Sequence, residues 1–188
     1  MKKIGITGSL ASGKTTASKI LSSGKGPLFS ADTVVKRLYL KKKFRKIIST
    51  KLKIKNNSKI KKEIKEKIVK DKTNIKKLEQ IIHPLVRKEM RRFINKNKHK
   101  KLIFLEIPLL IESKLYKYFD VILFIKANKN IRLKRFKSKG GSSKIFNILN
   151  AKQLSYKKKI KFCDHVIVNE KNLKFLKNKL LDILKKYE

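Results

Sequence analysis

Gly8, Ser9, Leu10, Ala11, Ser12, Gly13, Lys14 and Thr15 (GSLASGKT) satisfy the pattern GxxxxGK[ST] at every fixed position. They stand between an apolar run at residues 4–7 and a helix-compatible stretch. A strand, a glycine-framed turn and a helix in that order read as a phosphate-binding loop. The spacing has a physical reason. Two glycines permit positive-φ turns, so successive backbone N–H groups converge on a β-phosphate while the following helix adds its positive end. Lys14 is expected to reach the β- and γ-phosphates. The Thr15 hydroxyl, on the first helical turn, is placed to ligate a Mg²⁺ that keeps most of its waters. Residues 8–15 together with Thr16 are the expected ATP contacts. The competing reading, a Gly/Ser-rich turn that binds nothing, leaves the order of strand, loop, lysine and hydroxyl unexplained.

With 188 residues the chain is long enough for one α/β domain carrying one or two small inserted lobes. Its 53 Lys and Arg against 13 Asp and Glu give a net charge of +40. A field of that size attracts polyanions nonspecifically and in a salt-dependent way. Lysine far outnumbers arginine, and the excess is spread from Lys2 to Lys186 with no basic tail, so it reads as solvated surface with no specific nucleic-acid partner expected. The single cysteine, Cys163, allows no intramolecular disulfide, which suits a reduced cytoplasmic compartment. The most apolar run, residues 102–111, is interrupted by Glu106 and Pro108 and is too short to span a bilayer. No membrane association is expected.

Apolar runs at 4–7, 102–107 and 121–125, with shorter ones at 28–29 and 166–168, read as buried strands. Helical periodicity separates them, which predicts a five-stranded parallel sheet covered on both faces. Helices are expected over 13–22, 31–48, 74–97, 130–137, 143–159 and 172–187. Between 41 and 71 the chain is Lys-rich, with Ile54, Ile60, Ile64 and Ile68 at amphipathic spacing, and reads as a small helical insertion. Gly140 and Gly141, between two helical segments, suit either the hinge of a lid or a plain connection.

A phosphate loop alone does not separate kinases from other nucleotide enzymes. The guanine-recognition tetrad of G proteins, Asn or Thr, Lys, any residue, Asp, is absent from the chain. Asp32 follows the short strand after the first helix, so the first βαβ unit returns it to the carboxyl edge of the sheet. A carboxylate there can accept the proton of an acceptor hydroxyl and orient it towards a γ-phosphoryl group, or simply cap a helix. Glu112, at the end of the central strand, is a candidate to bind either the acceptor or a metal-bound water, with Glu106 as a rival for the metal-bound water, and periodicity does not choose between them. His83 and Pro84 interrupt a long helical pattern, and Arg87 shares the face of His83 at i+4. Arg132 and Arg135, at i and i+3 before the glycine pair, are candidates to reach transferring phosphate.

At this point the chain resembles the dephospho-CoA kinase family over nearly its whole length. The matching strings are GITGSLASGKTT at 5–16, SADTVVKR at 30–37, HPLVR at 83–87, IPLLIES at 107–113, FDV at 119–121, RLKR at 132–135 and CDHVIVN at 163–169. The resemblance implies a three-layer P-loop kinase fold. It also implies transfer of the ATP γ-phosphate to the ribose 3′-hydroxyl of dephospho-CoA, the last step of coenzyme A synthesis. By it, the core covers about 1–40, 79–131 and 160–188, a helical acceptor lobe 41–78 and a lid 132–159. By it too, Asp32 looks like the catalytic base, Lys14 and Thr15 the phosphate and Mg²⁺ contacts, and Arg135 the lid arginine. His83, Pro84, Arg87 and Glu112 fall on the acceptor side, and Asn169 at the adenine edge. The chain departs from the family pattern in three ways. Ser30 stands where Asp is usual, Lys139 replaces a second lid arginine, and the stretch 41–77 is short and basic. A nucleic-acid-stimulated ATPase and another small-molecule or nucleotide kinase are the alternatives that the residues leave open.

Overall fold

The computed structural model describes all of residues 1–188. Its strands are β1 (Lys2–Gly8), β2 (Leu28–Ser30), β3 (Leu102–Glu106), β4 (Val121–Lys126) and β5 (His165–Val168). They form one sheet in the order β2-β3-β1-β4-β5, every pairing parallel. The helices are α1 (Lys14–Ser22), α2 (Ala31–Leu38), α3 (Lys42–Leu52), α4 (Ile60–Lys70), α5 (Thr73–Lys96), α6 (Lys129–Lys137), α7 (Ser143–Lys152), α8 (Tyr156–Ile160) and α9 (Leu173–Leu184). The chain divides into two compact units, Met1–Ser30 with Ile94–Glu188, and Ala31–Phe93.

In the first unit the sheet is buried on both faces, which is why its strands are continuous apolar runs rather than alternating ones. Ile4, Ile6, Leu102, Phe104, Val121, Leu123, Ile125 and Ile167 form one core with Ala17 and Leu21 of α1 and Leu176, Leu180 and Leu184 of α9. The alternate residues Ile103, Leu105, Ile122 and Phe124 are buried on the opposite face. Two aspartates fix the strand register. Lys3 N donates to Asp120 Oδ2 at 2.7 Å while Asp120 N donates to Lys3 O. Ile122 N donates to Asp164 Oδ2 at 2.7 Å while Asp164 N donates to Ile122 O. The same reciprocal clip thus precedes β4 and β5, and it stops each from slipping by a residue, which would turn its apolar set outward. Register also lines up the carboxyl rim: Ile6 and Ser30 both pair with Glu106, and Gly8 pairs with Ile125.

The second unit is helical. Phe44, Ile48 and Leu52 on α3 and Ile60, Ile64 and Ile68 on α4 are buried at i, i+4, i+8 spacing. Between the two helices Glu63 ties down the turn. Its carboxylate accepts from Lys55 N at 2.8 Å and Asn57 Nδ2 at 2.9 Å, and Asn57 Oδ1 accepts from Lys59 N. The basic stretch is therefore an ordered helical insertion.

Two expected helices are broken. The one expected over 31–48 is α2 followed by α3, because Leu38 and Phe44 are both buried yet six residues apart, which on a single helix would set them about 120° apart around its axis. The one expected over 143–159 is α7 followed by α8, with Gln153 and Ser155 extended between them. In contrast, α5 runs through Pro84 without a break in its assignment, although the proline removes the donor for the Gln80 carbonyl.

Candidate active site

The loop after β1 folds as the glycine spacing demands. Gly13 has φ 97°, and a Cβ there would overlap the Asn169 side-chain amide, so only glycine fits. A Cβ on Gly8 would meet the Ile125 carbonyl. Gly13 is also the N-cap of α1 and offers no side chain to its first turn, which contains no acidic residue. The neighbouring helices α6, α7 and α9 are capped by Asn128, Ser142 and Asn172. The N-terminus of α1 thus keeps its positive end for a ligand.

Lys14 is buried to 7 % exposure, its ammonium lying 2.9 Å from Ser9 O and 3.3 Å from Gly8 O. The cation therefore arches back over the loop that would hold phosphate. Thr15 Oγ1 donates to Glu106 Oε1 at 2.6 Å. Glu106 is 1 % exposed, and its Oε2 has no hydrogen-bond partner. Strand alternation explains the pairing: Glu106 has the parity of Leu102 and Phe104, which face α1. Glu106 meets the phosphate-loop threonine, whereas Glu112 turns to the segment after α7.

A hydroxyl, a buried carboxylate and one unpartnered carboxylate oxygen are hard oxygen donors of the kind Mg²⁺ takes in small number. No group of three or more His, Cys, Asp or Glu side chains is placed to cage a metal. The residues present fit a cation that borrows most of its ligands from water and phosphate.

The loop is held from the side of α6 to β5. Asn169 Nδ2 and Arg135 Nη1 both donate to Ser12 O, at 2.8 and 3.3 Å. Leu10 N donates to Gln153 Oε1 at 3.0 Å, and Arg132 Nη1 donates to Leu10 O at 3.2 Å and to Asn150 Oδ1 at 2.7 Å. Arg132 is buried to 8 % exposure, stacked over Phe146 and bonded to Ala127 O through Nε. Burial pushes its guanidinium down from the ordinary value, and the group still stays charged. In this conformation Arg132 is a strut between the loop and α7, with its donors directed to protein oxygens.

Glu112 Oε1 lies 2.6 Å from the ammonium of Lys159, whose side chain is wholly buried, and also accepts from Leu154 N at 3.2 Å. The Lys159 contact is a close ion pair without the alignment of a hydrogen bond. Neither Lys159 nor Gln153 stands out in the sequence: Lys159 is one of four lysines within residues 157–161. Cys163 is half-buried and its thiol is pushed up to about 12, chiefly by burial and secondarily by Asp164. It is a thiol at neutral pH and no nucleophile.

In the second unit, α2 begins at Ala31, so exposed Asp32 stands in its first turn and not at the N-cap. His83, Pro84 and Arg87 are carried by α5, with His83 half-buried and Pro84 and Arg87 exposed.

The family model for dephospho-CoA kinase matches residues 2–174. A dephospho-CoA kinase of Bartonella quintana is 33 % identical over 189 residues, 98 % of this chain and 97 % of the relative. Among solved structures, a Thermus thermophilus protein superposes with a TM-score of 0.78 at 25 % identity, covering 100 % of this chain and 98 % of the other. A dephospho-CoA kinase from Campylobacter jejuni gives 0.65 at 27 % identity, covering 99 % and 97 %.

Proposed function

The chain belongs to the dephospho-CoA kinase family, and on that premise we propose a division of labour among its residues. The reaction is transfer of the γ-phosphoryl group of ATP to the ribose 3′-hydroxyl of dephospho-CoA, giving coenzyme A and ADP. The observation that carries the site reading is the Thr15 hydroxyl bonded to buried Glu106 beside the uncapped start of α1.

Phosphoryl transfer asks a protein mainly for positioning and for charge where charge accumulates. The backbone of residues 8–16 cradles the β- and γ-phosphates, and Lys14 swings from its carbonyl contacts onto their oxygens. Thr15 and Glu106 are the residues that would hold a Mg²⁺, which when bound would supply positive charge against the phosphates; Thr15 would offer its hydroxyl, and Glu106 orients that hydroxyl and keeps Oε2 unpartnered. Glu106 thereby fills the role that the aspartate usual at position 30 would share, since Ser30 and Glu106 are register partners at the ends of β2 and β3. Arg135 moves from Ser12 O to the transferring group, while Asn169 borders the adenine.

Asp32 accepts the proton of the 3′-hydroxyl and aims its oxygen in line with the γ-phosphorus. His83, Pro84 and Arg87 bind the acceptor, as does the helical lobe 41–78. A cleft of that lobe is lined by Lys53, Lys55, Lys67 and Lys70 together with Glu63 and Glu66, a lining of net positive charge that suits an anionic acceptor. No helix is long and apolar enough to cross a membrane. The lone cysteine supports a cytoplasmic location.

Incubation with MgATP and a panel of acceptors tests the activity. The expected product is coenzyme A, phosphorylated at the 3′-oxygen. Phosphorylation of nucleoside monophosphates with none of dephospho-CoA would overturn the substrate assignment. Glu106→Gln tests the cation role by calorimetry of ATP binding with and without Mg²⁺. Loss of an outer ligand partner should weaken the Mg²⁺-dependent part roughly 10–100-fold; an unchanged Mg²⁺ dependence contradicts it.

A further inference from the structure

We infer that Glu112 and Lys159 are a positioning pair that sets the tip of the phosphate loop through Gln153, so that Glu112 serves the ATP side of the reaction. The inference rests on the reading that residues 8–16 bind ATP. Three contacts in one unit of the chain carry it. Lys159 of α8 is wholly buried, with its ammonium 2.6 Å from Glu112 Oε1. The same oxygen takes Leu154 N at 3.2 Å. One residue earlier, Gln153 Oε1 takes Leu10 N at 3.0 Å.

The contacts also explain why the helix breaks where it does. Were α7 to continue, Leu154 N would donate to Asn150 O; instead Gln153 N takes that carbonyl and Leu154 N is drawn to Glu112. The extended backbone at Gln153 then sends its side-chain carbonyl to the loop. The Asn150 side chain accepts Arg132 Nη1, and the same nitrogen holds Leu10 O. Both polar groups of Leu10 are thus fixed by side chains of residues 132–153. That fixing directs how the loop's remaining N–H groups point, which is a requirement for gripping phosphate and not for gripping the acceptor.

A wholly buried lysine needs this carboxylate, because an ion pair broken inside a protein leaves a charge uncompensated. Glu112 is accordingly anchored to α8 by necessity. Its second oxygen, Oε2, is buried without a partner.

The test is a comparison of Gln153→Ala, Glu112→Gln and Lys159→Met, read as the dissociation constant for ATP and as separate KM values for ATP and dephospho-CoA. Gln153→Ala is expected to raise the ATP dissociation constant and KM about 3–10-fold, with KM for dephospho-CoA unchanged. Glu112→Gln and Lys159→Met are expected to act in the same direction. Once either is present, adding Gln153→Ala should have little further effect, as for residues that act through one contact. A rise in KM for dephospho-CoA alone on Glu112→Gln would overturn the inference, as would fully additive effects. Where the Lys159 variant fails to fold, Gln153→Ala decides alone, and an unchanged ATP dissociation constant overturns the inference. Failure of the unmodified protein to bind ATP would instead overturn the reading of the loop itself, so the two failures are distinct.

Discussion

Asp32→Asn is expected to lower kcat by about 10²–10⁴-fold, the contribution typical of a positioned general base, with the ATP dissociation constant unchanged. Asparagine preserves the size of the side chain and removes its negative charge together with the ability to take the proton. The carboxylate is exposed on the first turn of α2. Its favourable interaction with that helix end amounts to about 0.3–1 kcal/mol, too little to unfold a domain. A lower melting temperature would therefore be small, and measuring it alongside kcat separates chemistry from folding. Retention of more than a tenth of the activity would remove Asp32 from the mechanism. The same substitution would change nothing in a chain that had lost catalysis altogether.

Lys14→Met should cost about 10²–10³-fold in kcat/KM for ATP, the scale seen when one donor to a developing negative charge is removed. Methionine retains much of the apolar stem, which matters at a site only 7 % exposed. What is lost is the ammonium, which in this conformation rests on Ser9 O and Gly8 O. Those carbonyl contacts hold it within the loop, so little reorganisation separates the resting position from phosphate. Lys14→Arg is expected to recover little, since a planar guanidinium does not replace a compact point charge in so close a turn. Steady-state kinetics with ATP varied checks both variants. A loss below tenfold for Lys14→Met would contradict the assigned role.

The parts of the fold that were legible in sequence are those in which one residue type has one physical use. Buried strands must be apolar on both sides, so β1, β3 and β4 announced themselves. The turn from β1 to α1 needs glycine at residue 13, because of its φ and the Asn169 amide beside it. The helix breaks after Leu38 and after Lys152 were hidden because no proline or glycine marks either. The first follows from where Leu38 and Phe44 must be buried, and the second from a carboxylate more than forty residues away in sequence, which draws Leu154 N out of the helix. Lysine in this chain is ubiquitous, so the one lysine with a wholly buried side chain, Lys159, is indistinguishable from its exposed neighbours until the chain is folded. Arg132 and Arg135 looked equivalent as neighbours on a helix; burial against Phe146 and Leu10 separates them. Glu106 shares the strand parity of Leu102 and Phe104, and the face covered by α1 is known only once the chain is folded, so periodicity alone left it level with Glu112.

The most direct test of the account is a crystal structure of the protein with dephospho-CoA and a non-hydrolysable ATP analogue. In that complex the Asp32 carboxylate is expected about 3 Å from the ribose 3′-oxygen, that oxygen in line with the γ-phosphorus, and Lys14 on the phosphate oxygens. A complex in which the Asp32 carboxylate points away from the acceptor, with the 3′-oxygen held by some other group, would contradict it.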